Sequence, residues 1–110
     1  MSTRSIVAVK NEDGSYDSIY CHFDGYIEGG VGSALHEHHD SFELARALIE
    51  GGDHSTIAGG CETYLSRGED WSDVKPQHHY TLSALTETVS GSWAEYLHMF
   101  IDGMWVHKEI

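Results

Sequence analysis

The dipeptide Asp102-Gly103 lies between two alternating runs, AEYLHMFI (94–101) and MWVHKEI (104–110), and constrains the chain more than any other feature. An Asp-Gly connection of two residues suits a type I′ turn, whose twist matches that of two antiparallel strands. The turn sets the register. Ile101 faces Met104, Phe100 faces Trp105, Met99 faces Val106 and His98 faces His107. Alternation then places Leu97, Met99, Ile101, Met104 and Val106 on one face, the natural core face. Tyr96, His98, Phe100, Trp105 and His107 fall on the other.

A second hairpin opens the chain. RSIVAVK (4–10) is apolar and β-branched, NEDG (11–14) is a turn, and YDSIYCHF (16–23) returns as a strand. Tyr20 and His22 point opposite to Ile19, Cys21 and Phe23. If Tyr20 and His22 join the second set of the last hairpin, one sheet face becomes a carpet of aromatic and imidazole rings. Such a face is not left bare to water. It is covered by a loop, by a second copy of the chain in a homodimer, or by a flat ligand that stacks on it.

Helical signals lie between the hairpins. GYIEGGVG (25–32) has four glycines and reads as a loop, followed by a helix within 33–39. Asp40 and Glu43 have capping-box spacing, with Phe42, Ala45, Leu48 and Ile49 as the buried stripe of the next helix. Gly51 and Gly52 end it. Leu82, Leu85 and Val89 fit a third helix, stopped by Gly91. SRGEDWSDVKPQHHY (66–80) reads as a long surface loop. The expected architecture is a single α+β domain over 1–110. Its antiparallel sheet has at least four strands, built from the N- and C-terminal hairpins, with two or three helices on one face.

Charge narrows the partners. Eighteen acidic residues face six basic ones, for a net charge of −12. Direct nucleic-acid binding is disfavoured, because it needs clustered Lys and Arg. A basic host protein or nucleoprotein complex is favoured instead. Glu62, Glu69, Asp70 and Asp73 surround Trp71, a plausible aromatic anchor with a charged rim. The other explanation is that Trp71 pins its loop to the chain's own core. No run reaches the length of a membrane span, and the N-terminus lacks the apolar segment of a signal peptide, so the expected compartment is the cytoplasm.

The candidate chemistry is sparse. HEHHD (36–40) offers His36, His39 and Asp40 at helical spacing, but the run straddles a helix boundary and is not HExxH. With nine histidines in the chain, adjacency arises easily. Neither a metal nor a cofactor is expected. Cys21 and His22 adjoin on a strand and point apart, so Cys21 reads as a core residue and cannot use His22 as its base. Asp24 reads as a turn cap. No P-loop, GxSxG, dinucleotide fingerprint or CxxC pair is present.

Arg4-Ser5-Ile6, followed by Ile19-Tyr20-Cys21-His22-Phe23-Asp24-Gly25-Tyr26, resembles the opening of a family of small, mostly uncharacterised proteins of tailed phages and prophages. The similarity extends through the glycine-rich loop, LIEGGDHST (48–56) and AEYLHMFIDGMW (94–105), and is weakest over 58–80. Phe23 and His39 depart from the tryptophan and tyrosine more usual there. The resemblance implies a protein acting in the cytoplasm of a bacterial host. It suggests an inhibitor of a host defence or nucleic-acid-binding complex, in the manner of anti-CRISPR or anti-restriction proteins, acting through its negative surface. Two alternatives stand beside it. One is an oligomeric sponge for a nucleotide-like small molecule, which requires a deep pocket holding one of the six cations. The other is a metal-dependent enzyme using the HEHHD histidines.

Overall fold

A computed structural model describes residues 2–110. The two hairpins form as the turns require. Strands β1 (Ser5–Lys10) and β2 (Tyr16–Cys21) pair antiparallel. Strands β6 (Tyr96–Ile101) and β7 (Met104–Glu109) pair in the expected register, from Ile101↔Met104 to His98↔His107. Asp102 and Gly103 take φ of 50° and 84°. Both lie in the left-handed region that a type I′ turn needs and that glycine adopts most easily.

The hairpins join through a parallel pair, with Ser5 beside Tyr96 and Val9 beside Phe100. The sheet is therefore mixed, though mostly antiparallel, in the order β4-β3-β2-β1-β6-β7. Two short strands, β3 (His54–Thr56) and β4 (Glu62–Thr63), extend it past the end of β2. Strand β5 (Gln77–His79) pairs with the other half of β2, Ser18 beside Gln77 and Tyr16 beside His79.

Two helices lie on one face. Helix α1 (Val31–His38) and helix α2 (Phe42–Glu50) bury Val31, Leu35, Ala45, Leu48 and Ile49 against Val7, Val9, Ile19, Cys21, Phe100 and Trp105. The four-residue helix α3 (Trp71–Val74) lies between β4 and β5. Helix α4 (Leu82–Ser90) covers the opposite face, where Leu85 and Val89 meet Ile6, Ala8, Leu97 and Met99. The central strands are thus buried on both sides, which is why SIVAVK is apolar at successive positions.

Several local expectations are corrected. Ser41, not Asp40, caps α2, and its hydroxyl accepts from the Leu44 N–H at 3.1 Å. The helix therefore begins at Phe42, which sits beside the β1–β2 turn and is 37 % exposed, outside the buried stripe. Leu82, the first residue of α4, is likewise exposed. Helix α1 starts at Val31, inside the expected loop, because the Asp24 carbonyl accepts the Val31 N–H at 2.8 Å. Residues 66–80 are not an irregular loop. They hold the end of a 3-10 turn (Leu65–Arg67), then α3 and β5. Among the described residues no helix is long and apolar enough to cross a membrane.

Candidate functional site

Between α4 and the sheet lies a cleft of 350 Å³ lined by Arg4, Ile6, Ser18, Ile19, Tyr20, Asp53, Gln77, Thr88, Ser92 and Trp93. Each wall has a local cause. Alternation in β1 and β2 turns Ile6, Ser18 and Tyr20 toward α4, and Arg4 precedes Ile6 by two residues. Gly91 ends α4, and the chain turns back to β6 with Trp93 80 % exposed. Asp53 follows the glycines that end α2, and its N–H donates to the Val74 carbonyl at 2.8 Å.

The electrostatics of the cleft are unbalanced by design of its backbone. One Asp53 carboxylate oxygen accepts the Tyr20 N–H at 2.8 Å, and no other hydrogen bond to this carboxylate occurs among the described residues. Burial pushes its pKa up to about 6, against which the single backbone bond works only partly. Arg4 also lines the cleft, and among the described residues no carboxylate lies within ion-pair distance of it. Burial raises the Tyr20 phenol, and the adjacent Arg4 opposes that shift. The Tyr20 hydroxyl is 2.6 Å from His22 Nδ1, and His22 Nε2 is 2.9 Å from the Ser2 hydroxyl. A cation and an acid, each without an ionic partner, flank an apolar slot with an exposed indole at its edge. Such an arrangement, a few oriented polar groups in an apolar pocket, is of the kind that can accept a small ligand.

The expected carpet of rings is split between the two faces. Pairing sets Val7 beside both Ile19 and His98, so Tyr20 and His22 belong to the face of Leu97 and Met99. Tyr20 reaches the cleft. Tyr96, His98, Phe100, Trp105 and His107 lie on the α1–α2 face, where Phe100 and Trp105 are 2 % and 5 % exposed. These two are core, with their rings edge-to-face at 5.3 Å, and form no open stacking surface. The Trp105 indole donates to the His39 carbonyl at 2.9 Å.

The HEHHD residues do not converge on one ion. Helix α1 ends at His38, which sends its neighbours apart. His36 Nε2 meets His107 Nε2 at 2.8 Å, His39 Nε2 lies 3.7 Å from Cys61 Sγ, and Asp40 is exposed. Among the described residues no group of three or more His, Cys, Asp or Glu side chains is placed to hold a metal. The Cys61–His39 approach spans 22 residues and is invisible in the sequence. Burial raises the Cys61 thiol and lowers His39, so both favour their neutral forms rather than a thiolate–imidazolium pair. Cys21 is a buried core thiol, pushed up to about 12 by burial.

The acidic group around Trp71 is on the surface. Glu69, Asp70 and Asp73 are exposed, Glu62 Oε1 lies 3.6 Å from Arg67 Nε, and Asp70 caps α3 by accepting the Ser72 N–H. Trp71 is 41 % exposed, and its ring packs so close to Gly52 that a Cβ there would come within 3.0 Å of it. Trp71 therefore serves both surface and scaffold.

Asp53, Gln77 and Trp93 were not singled out in the sequence, and Arg4 entered only as part of the family resemblance and as one of the six cations. The only signals were Arg4 two residues before Ile6 on an alternating strand, and an acid after a glycine pair. No protein-family model, curated protein or solved structure matches the chain.

Proposed function

We propose that this protein binds and sequesters a small, flat, anionic molecule of nucleotide-like chemistry in the α4 cleft. The observation that carries the proposal is that Arg4 and Asp53, neither with an ionic partner among the described residues, line one apolar slot with Trp93 at its rim. The indole offers a stacking face to a heterocycle. Asp53 and the Gln77 amide offer acceptors and donors to its edge. Arg4 offers a guanidinium to a phosphate or carboxylate. The volume lies in the range that drug-sized ligands fill. Arg4, Ile6, Ile19 and Tyr20, by which the chain resembles the phage family, all line this cleft, whereas the acidic 58–80 segment is where that resemblance is weakest.

The test is thermal denaturation against a panel of nucleosides, linear nucleotides and cyclic nucleotides. A ligand at a hundred times its Kd stabilises by about 2.7 kcal/mol. In a domain of this size that raises Tm by roughly 10 °C or more. Trp93→Ala and Arg4→Ala remove the shift. If no member of the panel moves Tm, or both variants respond like the parent, the cleft is not such a site.

A second reading rests on the exposed acids beside Trp71. In it the protein inhibits a basic host complex that grips nucleic acid, with carboxylates in place of phosphates. Trp71→Ala then weakens binding by more than about 2 kcal/mol, and neutralising Glu69, Asp70 and Asp73 slows association and flattens its salt dependence. Unchanged binding by the triple variant across a salt titration rejects it.

A further inference from the structure

The sheet ends on two unequal edges. At one end β4 has two residues, and its pairing with β3 shifts register between His54 and Thr56. Strand β5, beside the other half of β2, has three residues. Short strands and irregular pairing blunt an edge against further strands. At the other end β7 runs for six residues in unbroken register with β6 and contains no proline. Among the described residues it is the one long edge strand.

The turn decides which backbone groups β7 turns outward. In a two-residue hairpin the residues flanking the turn, Ile101 and Met104, form a hydrogen-bonded pair. Alternate residues follow suit, so Met104, Val106 and Lys108 direct their N–H and C=O groups at β6. The Ile110 N–H continues the series by donating to the Glu95 carbonyl at 2.9 Å. The N–H and C=O groups of Trp105, His107 and Glu109 therefore point away from the sheet, and none of them has a backbone partner among the described residues. The side chains beside this edge are uncovered on one face. Pairing sets Met104, Val106 and Lys108 on the face of Ile101, Met99 and Leu97. Helix α4 packs on that face, but its buried cluster stops at β6. Met104, Val106 and Ile110 are 60 %, 40 % and 51 % exposed.

We propose that β7 pairs antiparallel with β7 of a second copy of this chain, joining two sheets into one about a two-fold axis at His107. The edge is complementary to itself. With His107 opposite its own copy, Trp105 stands opposite Glu109, and every outward N–H and C=O of the strand finds a partner. The same register sets Met104 opposite Ile110 and Val106 opposite Lys108 on the uncovered face. Each exposed apolar side chain thus meets another, or the aliphatic stem of a lysine. Charge permits the contact. The chain carries −12, yet residues 104–110 hold one lysine and one glutamate, and in this register neither faces its like. The contact is isologous and consumes the edge, so assembly closes at two. It does not depend on what the α4 cleft binds.

The experiment is sedimentation equilibrium of the parent from about 1 μM to about 1 mM, with Val106→Lys, Val106→Lys/Lys108→Glu and Glu109→Pro alongside. We expect the parent to reach twice the chain mass of 12.2 kDa. Val106→Lys sets lysines opposite each other twice, by symmetry, and weakens the dimer about tenfold or more. Adding Lys108→Glu restores opposite charges and recovers the parent affinity. Glu109→Pro deletes an outward N–H and leaves the chain monomeric. Val106 and Glu109 are exposed, and the Glu109 N–H bonds nothing within the sheet, so the variants keep the fold, which circular dichroism checks. A parent that stays monomeric at about 1 mM overturns the proposal and leaves the edge to a strand of a different protein. A dimer that Val106→Lys and Glu109→Pro both leave intact overturns it too. So does failure of Lys108→Glu to recover the Val106→Lys dimer.

Discussion

Asp53 offers a direct measure of how far the cleft has been built against stability. Its carboxyl has a pKa of about 6 in the folded protein, raised by burial from the ordinary 3.8. A raised carboxyl pKa means that the folded state holds its proton more tightly than the unfolded chain. The penalty is absent below the unfolded pKa, grows as pH rises through the window from 3.8 to about 6, and is complete above it. A shift of this size corresponds to about 3 kcal/mol if fully expressed. Asp53 is only half-buried, so solvent screening reduces the expected penalty to roughly 1–2 kcal/mol. Asp53→Asn removes the charge while its side-chain carbonyl still accepts the Tyr20 N–H. The variant should be more stable than the parent by roughly 1–2 kcal/mol at pH 7 to 8, and by about half that at pH 5. Urea unfolding of both proteins at several pH values measures the difference. Under the proposed function the same variant loses ligand affinity, the opposing signs that mark a residue kept for binding. A variant less stable than the parent at pH 8, or a difference that does not change with pH, refutes the assignment of Asp53 as a strained, ionised acid.

Leu48 packs in the α1–α2 core at 6 % exposure, so Leu48→Ala should cost about 2–5 kcal/mol in denaturant unfolding. Gly25→Ala forces a methyl against Ser5 and the Thr3 carbonyl and should cost about 1–3 kcal/mol, while perturbing the His98 ring resonance because the Gly25 carbonyl moves. Asp17 is desolvated, which raises its pKa, but bonds from His78, Arg46 and Asn11 outweigh that and hold it below the ordinary value. Its contribution is present above the unfolded carboxylate pKa and is lost as pH falls through the lower folded one, so Asp17→Asn should lower Tm at pH 7 and have a shrinking effect at acid pH.

Much of the fold was legible because its signals are local. Asp102-Gly103 carries its own backbone preference and sets the register, but not which face is core: Met104 and Val106, expected on the core face, are 60 % and 40 % exposed, while Phe100 and Trp105 are buried. The stripe Ala45, Leu48 and Ile49 and the pair Leu85 and Val89 show helix and core together. The errors at Phe42 and Leu82 share one cause. A periodic pattern shows which residues line up on a helix, but not how far the neighbouring sheet extends beneath the first turn. Tertiary structure alone decided that β1 runs parallel to β6, and that single pairing settled the rest. It placed Val7 between Ile19 and His98, and so sent Tyr20 and His22 to one face and Tyr96, His98 and His107 to the other. It also gave α4 a face of its own, opposite α1 and α2, and so opened the cleft between Arg4, Asp53 and Trp93. These residues lie as far apart in sequence as 4, 53 and 93. Nothing local in a strand encodes which distant strand it joins, because backbone hydrogen bonds are the same for every partner and the choice falls to how all the apolar faces are buried at once.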